Sequence, residues 1–214
     1  MRILPEQMRL YAVTDRTWLH GRPLTEMVCE AIDGGATFVQ LREKNLPSEQ
    51  LLEEARKLAK LCRERQVWFV VNDNVEVALA SGADGVHVGQ DDMEVRQVRA
   101  LLGPDKILGV SAHNVQEAMA AQADGADYLG CGAAFVTGTK SDAVPVSEET
   151  MRAVAESVTI PVVAIGGITQ ENIAQLGERG LSGAAVVSAI FAAKDPKEAA
   201  RKLREQVERW EYKR

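Results

Sequence analysis

The stretch VWFVVNDNVEVALASGADGVHVG, Val67–Gly89, holds two candidate strands and the turn that joins them. Val67–Asp73 is a nearly continuous run of β-branched and aromatic residues that stops at Asn72 and Asp73, and Asp84–Gly89 repeats the pattern more briefly. Strands without apolar/polar alternation have both faces covered, as in a parallel sheet with helices packed against it. The entry to the second strand is SGADGVHVG, from Ser81. A glycine at the C′ position of a helix, followed by a small residue, turns the chain sharply into the next strand.

The same device recurs as GGATFVQ from Gly34, DGADYLG from Asp124 and LSGAAVVS from Leu181. With RLYAVTD from Arg9, TFVQLRE from Thr37, KILGVS from Lys106, DYLGCG from Asp127, PVVAIGG from Pro161 and GAAVVSA from Gly183, the candidate strands number eight. Between them apolar residues fall at three- and four-residue spacing, as in Leu51, Leu52, Ala55, Leu58, Ala59 and Leu61, or Val95, Val98, Leu101 and Leu102, which predicts helices. Each strand followed by a helix requires parallel pairing. Eight such units predict an α/β fold, a single compact (β/α)8 TIM barrel in which residues 1–214 form one domain. The structural alternative is an open doubly wound sheet, which would carry a GxGxxG turn after the first strand; VTDRTWLHGR does not.

The chain is 46% hydrophobic and 26% charged, an ordinary globular composition with a large core. No run approaches the roughly 18 apolar residues needed to span a bilayer, and MRILPEQMRLYAV lacks a long apolar segment followed by a cleavage site. The expected setting is cytoplasmic, with no membrane partner. Cys29, Cys62 and Cys131 form no CxxC or Cys/His pattern, so reduced thiols are expected. A net charge of −6 argues against nucleic acid as a partner. An anionic ligand would need a local cationic pocket.

FVQLREK, Phe38–Lys44, offers one. Alternate side chains of a strand share a face, which sets Phe38, Gln40, Arg42 and Lys44 against Val39, Leu41 and Glu43. One face thus passes from apolar to cationic, although a strand ending in solvated charge would look the same. In a (β/α)8 barrel the active site lies at the C-terminal strand ends. There the chain places Asn72 and Asp73, then Gln90, Asp91 and Asp92, then Ser111, then Thr137, Thr139 and Lys140, then Gly166 and Gly167, and finally Ser188. Asn72 or Asp73 could instead cap the next helix, and Asp91 or Asp92 could complement a helix dipole. Yet neighbouring strands lie about 4.8 Å apart, so carboxylates at two adjacent strand ends can meet at one magnesium ion, whose other positions go to water and phosphate oxygens. AIGGI and VVSAI fit a phosphate site built on backbone amides. The long link Ala133–Thr150 is expected to be functional, with Ser147 marking a helix start. His87, His113 and Cys131 read as structural, and nothing suggests a covalent mechanism.

YAVTDR, VQLREK, VND, ADGVHVGQDD, LGVSAHN, TGTKSDA, AIGGI and VVSAI, in this order from Tyr11 to Ile190, resemble the thiamine phosphate synthase family. The resemblance implies a (β/α)8 transferase of thiamine biosynthesis that joins hydroxymethylpyrimidine diphosphate to a thiazole phosphate and releases pyrophosphate. It implies that Gln40, Leu41, Arg42, Glu43, Lys44 and Asn72 hold the pyrimidine diphosphate, that Asp73 and Asp92 bind Mg2+, and that Ser111 and Lys140 complete that pocket. Thr137, Gly138, Thr139, Gly167, Val187 and Ser188 would hold the thiazole phosphate, and Arg42, Lys140 and Ser111 would serve the chemistry. Asn74 stands where many relatives carry arginine, and Ala133 with Val136 replaces a commoner proline-containing loop. A thiazole tautomerase-like isomerase shares the barrel but tends to lose parts of the diphosphate and magnesium set, which is intact here; a noncatalytic phosphate-binding barrel is the third reading. The partners expected are small molecules, and amphipathic helix faces leave room for a homo-oligomer.

Overall fold

The computed structural model describes residues 3–136 and 145–210. Its eight strands are β1 (Leu10–Val13), β2 (Phe38–Leu41), β3 (Trp68–Asn72), β4 (Gly85–Val88), β5 (Ile107–Ala112), β6 (Tyr128–Gly132), β7 (Val162–Ile165) and β8 (Gly183–Val186). Seven lie within their predicted segments, and β5 runs one residue past KILGVS, to Ala112. They pair in chain order, all parallel, and β1 closes on β8. Closure leaves no sheet edge exposed.

The helices are α1 (Leu24–Asp33), α2 (Ser48–Glu64), α3 (Val75–Ser81), α4 (Val95–Leu102), α5 (Val115–Ala123), α6 (Glu148–Ser157), α7 (Ser188–Phe191) and α8 (Pro196–Val207). Leu51, Ala55, Leu58 and Ala59 bury one face of α2 as their spacing predicts, with Cys62 extending the stripe, while Leu52 and Leu61 are half-buried at its edges. One unit departs from expectation. Between β7 and β8 the chain makes only a 3-10 turn, Ile173–Leu176, and two helices follow β8 instead. Gly177 ends that turn, and a side chain there would come within 3.0 Å of the Trp210 ring.

The repeated glycine device holds at Gly82, which caps α3 at φ +75° and donates its N–H to the carbonyls of Ala78 and Leu79. It fails in LSGAAVVS. Gly180 carries the left-handed turn there (φ +70°), whereas Gly183 opens β8. Its reason is close approach, since a Cβ on Gly183 would lie 2.0 Å from the Met8 carbonyl oxygen.

Side-chain parity divides the core into two layers. Val39, Leu41, Val71, Val86 and Leu108 face outward against the helices. Tyr11, Phe38, Val70, Ile107, Tyr128 and Val163 fill the barrel interior. The rings of Tyr11, Phe38 and Tyr128 meet edge to face, with centroids 4.6–5.9 Å apart, a favoured geometry for aromatic contacts. This aromatic layer closes the barrel from within, so any ligand must sit above it, at the C-terminal strand ends. No helix among the described residues is long and apolar enough to cross a membrane.

Candidate active site

A cleft of about 660 Å³ opens at that end of the barrel, within the usual size range of small-molecule sites. Gln40, Arg42 and Lys44 line one wall, Asn72, Asp73 and Asp92 the next, Ser111 and His113 the next, and Gly166, Gly167, Val187 and Ser188 the far side. Rim residues read from six strand ends, β2–β5, β7 and β8, therefore converge on one space. Leu41 and Glu43 point elsewhere. Leu41 is buried in the outer layer, and the Glu43 carboxylate pairs with Arg16 at 3.2 Å, so neither side chain lines the cleft. Any contribution from these two to a ligand falls to the backbone.

Arg42 is positioned from two directions. Its backbone N–H donates to Thr14 Oγ1 at 3.0 Å, and its guanidinium Nη1 lies 3.6 Å from Asp15 Oδ2. Thr14 is fully buried, which anchors the start of the cationic wall to the end of β1. Lys44 is exposed at the mouth.

The adjoining wall is acidic. Asn74 caps α3 through its side-chain oxygen, which accepts from the Val77 N–H at 2.9 Å. The capping role considered for Asn72 or Asp73 is thus already filled. Asn74, the departure from the commoner arginine, has this local structural use. Asp73 takes a left-handed backbone conformation, φ +61°, uncommon for a residue with a side chain and typical of sites where function fixes geometry. Its N–H donates to the His87 carbonyl at 2.8 Å, and its carboxylate accepts from the Asn72 amide. The turn brings Asp73 beside Asp92 at the cleft. Burial, and then Asp92, pushes the Asp73 carboxyl up to about 7, against the pull of Arg42 and Lys44. Asp92 accepts from the Gly89 N–H at 2.7 Å rather than from a helix terminus. Asp91 does not line the cleft.

No group of three or more His, Cys, Asp and Glu residues suited to a metal occurs among the described residues. Two carboxylates whose mutual repulsion favours a proton on one of them nevertheless suit Mg2+, which uses one or two carboxylates and leaves the remainder to water and phosphate. Asp73 and Asp92 would hold it.

Across the cleft, Gly166 and Gly167 have φ of +97° and +65°, and Phe135 donates its N–H to the Gly166 carbonyl at 3.0 Å. Any side chain on Gly167 would strike the carbonyls of Phe135 and Val136, at 2.8 and 2.6 Å. The loop after β6 thus lies against this glycine pair. Ser188 opens α7, whose first N–H groups have no partner within the helix. Thr137, Gly138, Thr139 and Lys140 lie outside the described residues. Pro145, Val146, Ser147 and Thr150 line the cleft, and Ser147 caps α6 as expected.

One feature went unread in the sequence, and one structural histidine has more partners than its position alone tells. Tyr11 and Tyr128, which resemble plain core residues, carry hydroxyls 2.8 Å apart beneath the cleft. His87 faces into the barrel between the Tyr128 hydroxyl and Ser111 Oγ, and burial lowers its imidazole to about 4. Strand parity was the available signal, because Tyr11, Gln40, His87 and Tyr128 all fall on inward positions. Cys131 is buried and its thiol is pushed up to about 12, which suits a core residue and not a nucleophile.

Residues 10–190 match the family model described as thiamine monophosphate synthase. The chain is 53% identical over 197 residues to the thiamine-phosphate synthase of Chloroflexus aurantiacus, covering 92% of this chain and 91% of that one. It is 48% identical over 204 residues to the thiamine-phosphate synthase of Moorella thermoacetica, covering 95% and 97%. The thiamine phosphate pyrophosphorylase structure from Pyrococcus furiosus superposes with a TM-score of 0.89 at 42% identity, over 96% of this chain and 98% of that one.

Proposed function

Because the chain belongs to the thiamine monophosphate synthase family, we propose that it transfers the pyrimidine group of hydroxymethylpyrimidine diphosphate to a thiazole phosphate, forming thiamine phosphate and releasing pyrophosphate. The observation that carries this reading is the cleft itself, where the cationic wall of Arg42 and Lys44 faces the carboxyl pair Asp73 and Asp92. A diphosphate bridged to a divalent cation matches both walls at once, whereas an uncharged ligand would leave each unsatisfied. An isomerase acting on a thiazole carboxylate phosphate would need no such pairing.

Arg42 and Lys44 hold the diphosphate, and Ser111 closes the pocket from β5. Asp73 and Asp92 would hold Mg2+, which when bound would supply positive charge beside the diphosphate. As the bond between the pyrimidine methylene carbon and the diphosphate oxygen breaks, its electron pair leaves with pyrophosphate, and the growing negative charge meets cations already in place. The thiazole nitrogen then donates its lone pair to the methylene carbon. Gly167, Val187 and Ser188, on the far wall, hold the thiazole phosphate through backbone N–H groups, which orients that nitrogen.

Incubating the purified protein with both substrates and magnesium, and measuring pyrophosphate and thiamine phosphate, tests the reading. Equal amounts of the two products are expected. Absence of both, with substrates that a reference enzyme consumes, would overturn it.

A further inference from the structure

Five polar side chains cross the barrel interior in one unbroken chain. Gln40 Nε2 lies 2.6 Å from Tyr11 Oη, the hydroxyls of Tyr11 and Tyr128 are 2.8 Å apart, Tyr128 Oη is 3.0 Å from His87 Nδ1, and His87 Nε2 is 3.1 Å from Ser111 Oγ. The two ends, Gln40 and Ser111, both line the cleft. The two tyrosines between them are 1% and 0% exposed.

Each hydroxyl has one proton to give, so the direction of one bond dictates the rest. With the Gln40 amide donating, Tyr11 gives its proton to Tyr128 and Tyr128 gives its own to His87 Nδ1. A neutral imidazole with Nδ1 bare carries its proton on Nε2 and donates it to Ser111. The Ser111 proton is then left to point into the cleft. His87 is buried and its two ring partners are hydroxyls, which suits the neutral ring. Turning the amide over would reverse every bond and leave Ser111 presenting a lone pair. A phosphate oxygen only accepts, so the first direction is the one that serves an anionic substrate.

We propose that Tyr11, Tyr128 and His87 are positioning residues whose linked hydrogen bonds hold the Ser111 hydroxyl as a donor toward the substrate and, at the other end, the Gln40 carbonyl oxygen as an acceptor. The exocyclic amino group of an aminopyrimidine is the matching donor for Gln40. Backbone design supports the chain independently. Gly109, mid-strand in β5, leaves room for it, since a Cβ there would come within 2.3 Å of Tyr128 Oη and 2.5 Å of His87 Nδ1. Glycine weakens a strand interior and often marks a close approach of this kind.

The ligand assignment rests on the proposed function, but the direction of the chain does not. Nitrogen-15 NMR of the histidine side chains reads that direction in the free protein. His87 should show a protonated Nε2 and an unprotonated Nδ1, and Tyr128→Phe, which removes the proton held against Nδ1, should mix the tautomers. Tyr11→Phe breaks the chain one bond earlier and serves if Tyr128→Phe does not fold. Kinetically, either variant should lose about tenfold in kcat/KM, on the scale of one hydrogen bond, and combining it with Ser111→Ala should cost clearly less than the product of the two single losses. An Nδ1-protonated His87 in the wild type, or losses that multiply in full in the double variant, would overturn the proposal. Failure of the functional reading would show separately, as absence of product from the wild type with the NMR result unaffected.

Discussion

The carboxyl groups of Asp73 and Asp92, carried on the loops after adjacent strands β3 and β4, lie side by side at the barrel rim, where each disfavours charge on the other. Asp73 is thereby raised to about 7. A raised carboxyl favours the folded state when protonated, so its contribution is present below the ordinary value of 3.8 and fades as pH rises through about 7. A divalent cation at this pair must displace that proton. Adding magnesium near pH 7 to weakly buffered protein should therefore release protons, detectable with an indicator dye, and Asp73→Asn should remove the release. Equal release from both proteins would count against the pair as the metal site.

Activity should follow the same residues. Asn accepts the left-handed backbone of position 73 readily, so Asp73→Asn and Asp92→Asn should leave the melting temperature nearly unchanged. Each should lower turnover by about a hundredfold, the scale of one lost electrostatic partner in an active site, and raise the magnesium concentration needed. A magnesium requirement identical to wild type in both variants would sink the assignment.

His87 predicts an acid-sensitive fold. Burial lowers it from 6.5 to about 4, so the unfolded chain binds the proton more tightly. Stability from this residue is complete above the unfolded value, declines as pH falls from about 6.5, and is lost below about 4, by up to about 3 kcal/mol. Urea denaturation at several pH values in this window should show that loss in the wild type. His87→Gln, which cannot titrate, should flatten the slope; an unchanged slope would place the acid sensitivity elsewhere.

Two glycines set the barrel's tolerances. A Cβ on Gly85 would lie 1.9 Å from the Ile107 carbonyl oxygen, and one on Gly183 2.0 Å from that of Met8. Backbone atoms, whether in a paired strand as at Ile107 or in the turn before β1 as at Met8, cannot swing aside as a flexible side chain can. Gly85→Ala and Gly183→Ala should each destabilise by about 3 kcal/mol, the upper range for overpacking, whereas Gly103→Ala, where nothing lies within 4 Å, should act only through its positive φ. Chemical denaturation of the three variants separates steric clash from backbone strain.

The barrel was legible because the physics is local. An apolar run such as Val67–Val71, flanked on both sides by helical segments, leaves parallel pairing as its natural arrangement. Arg42, Asp73, Asp92 and Ser111 were legible because strand ends and alternation place them without knowledge of the partners. The Tyr11–Tyr128 bond was not, since it joins residues 117 positions apart and each tyrosine read alone is an ordinary core aromatic. Nor was the missing helix after β7, where a glycine stop at Gly177 cuts short a segment with helical spacing. At Gly183 the residue was noticed for the wrong reason, because a glycine serving close packing looks the same in sequence as one serving a turn.

Arg42 offers the sharpest test of mechanism. Its guanidinium is held by Asp15 and its backbone by Thr14, so it is placed before substrate arrives and need not reorganise as the diphosphate departs. In an ionisation mechanism the negative charge on the leaving group grows toward the transition state, and a fixed cation should bind that state more tightly than the ground state. Removing it, as in Arg42→Gln, should slow bond breaking by about a hundredfold, near 3 kcal/mol, beyond any change in substrate affinity. Single-turnover measurements at saturating substrates isolate that step. Asp15→Asn should fall between Arg42→Gln and wild type, since it frees the guanidinium without deleting its charge. A pyrimidine with electron-donating substituents stabilises the developing cation and should lessen the Arg42→Gln defect. If Arg42→Gln raised only the substrate concentration required and left the single-turnover rate untouched, the residue would bind substrate and transition state equally, and its role in charge stabilisation would fall.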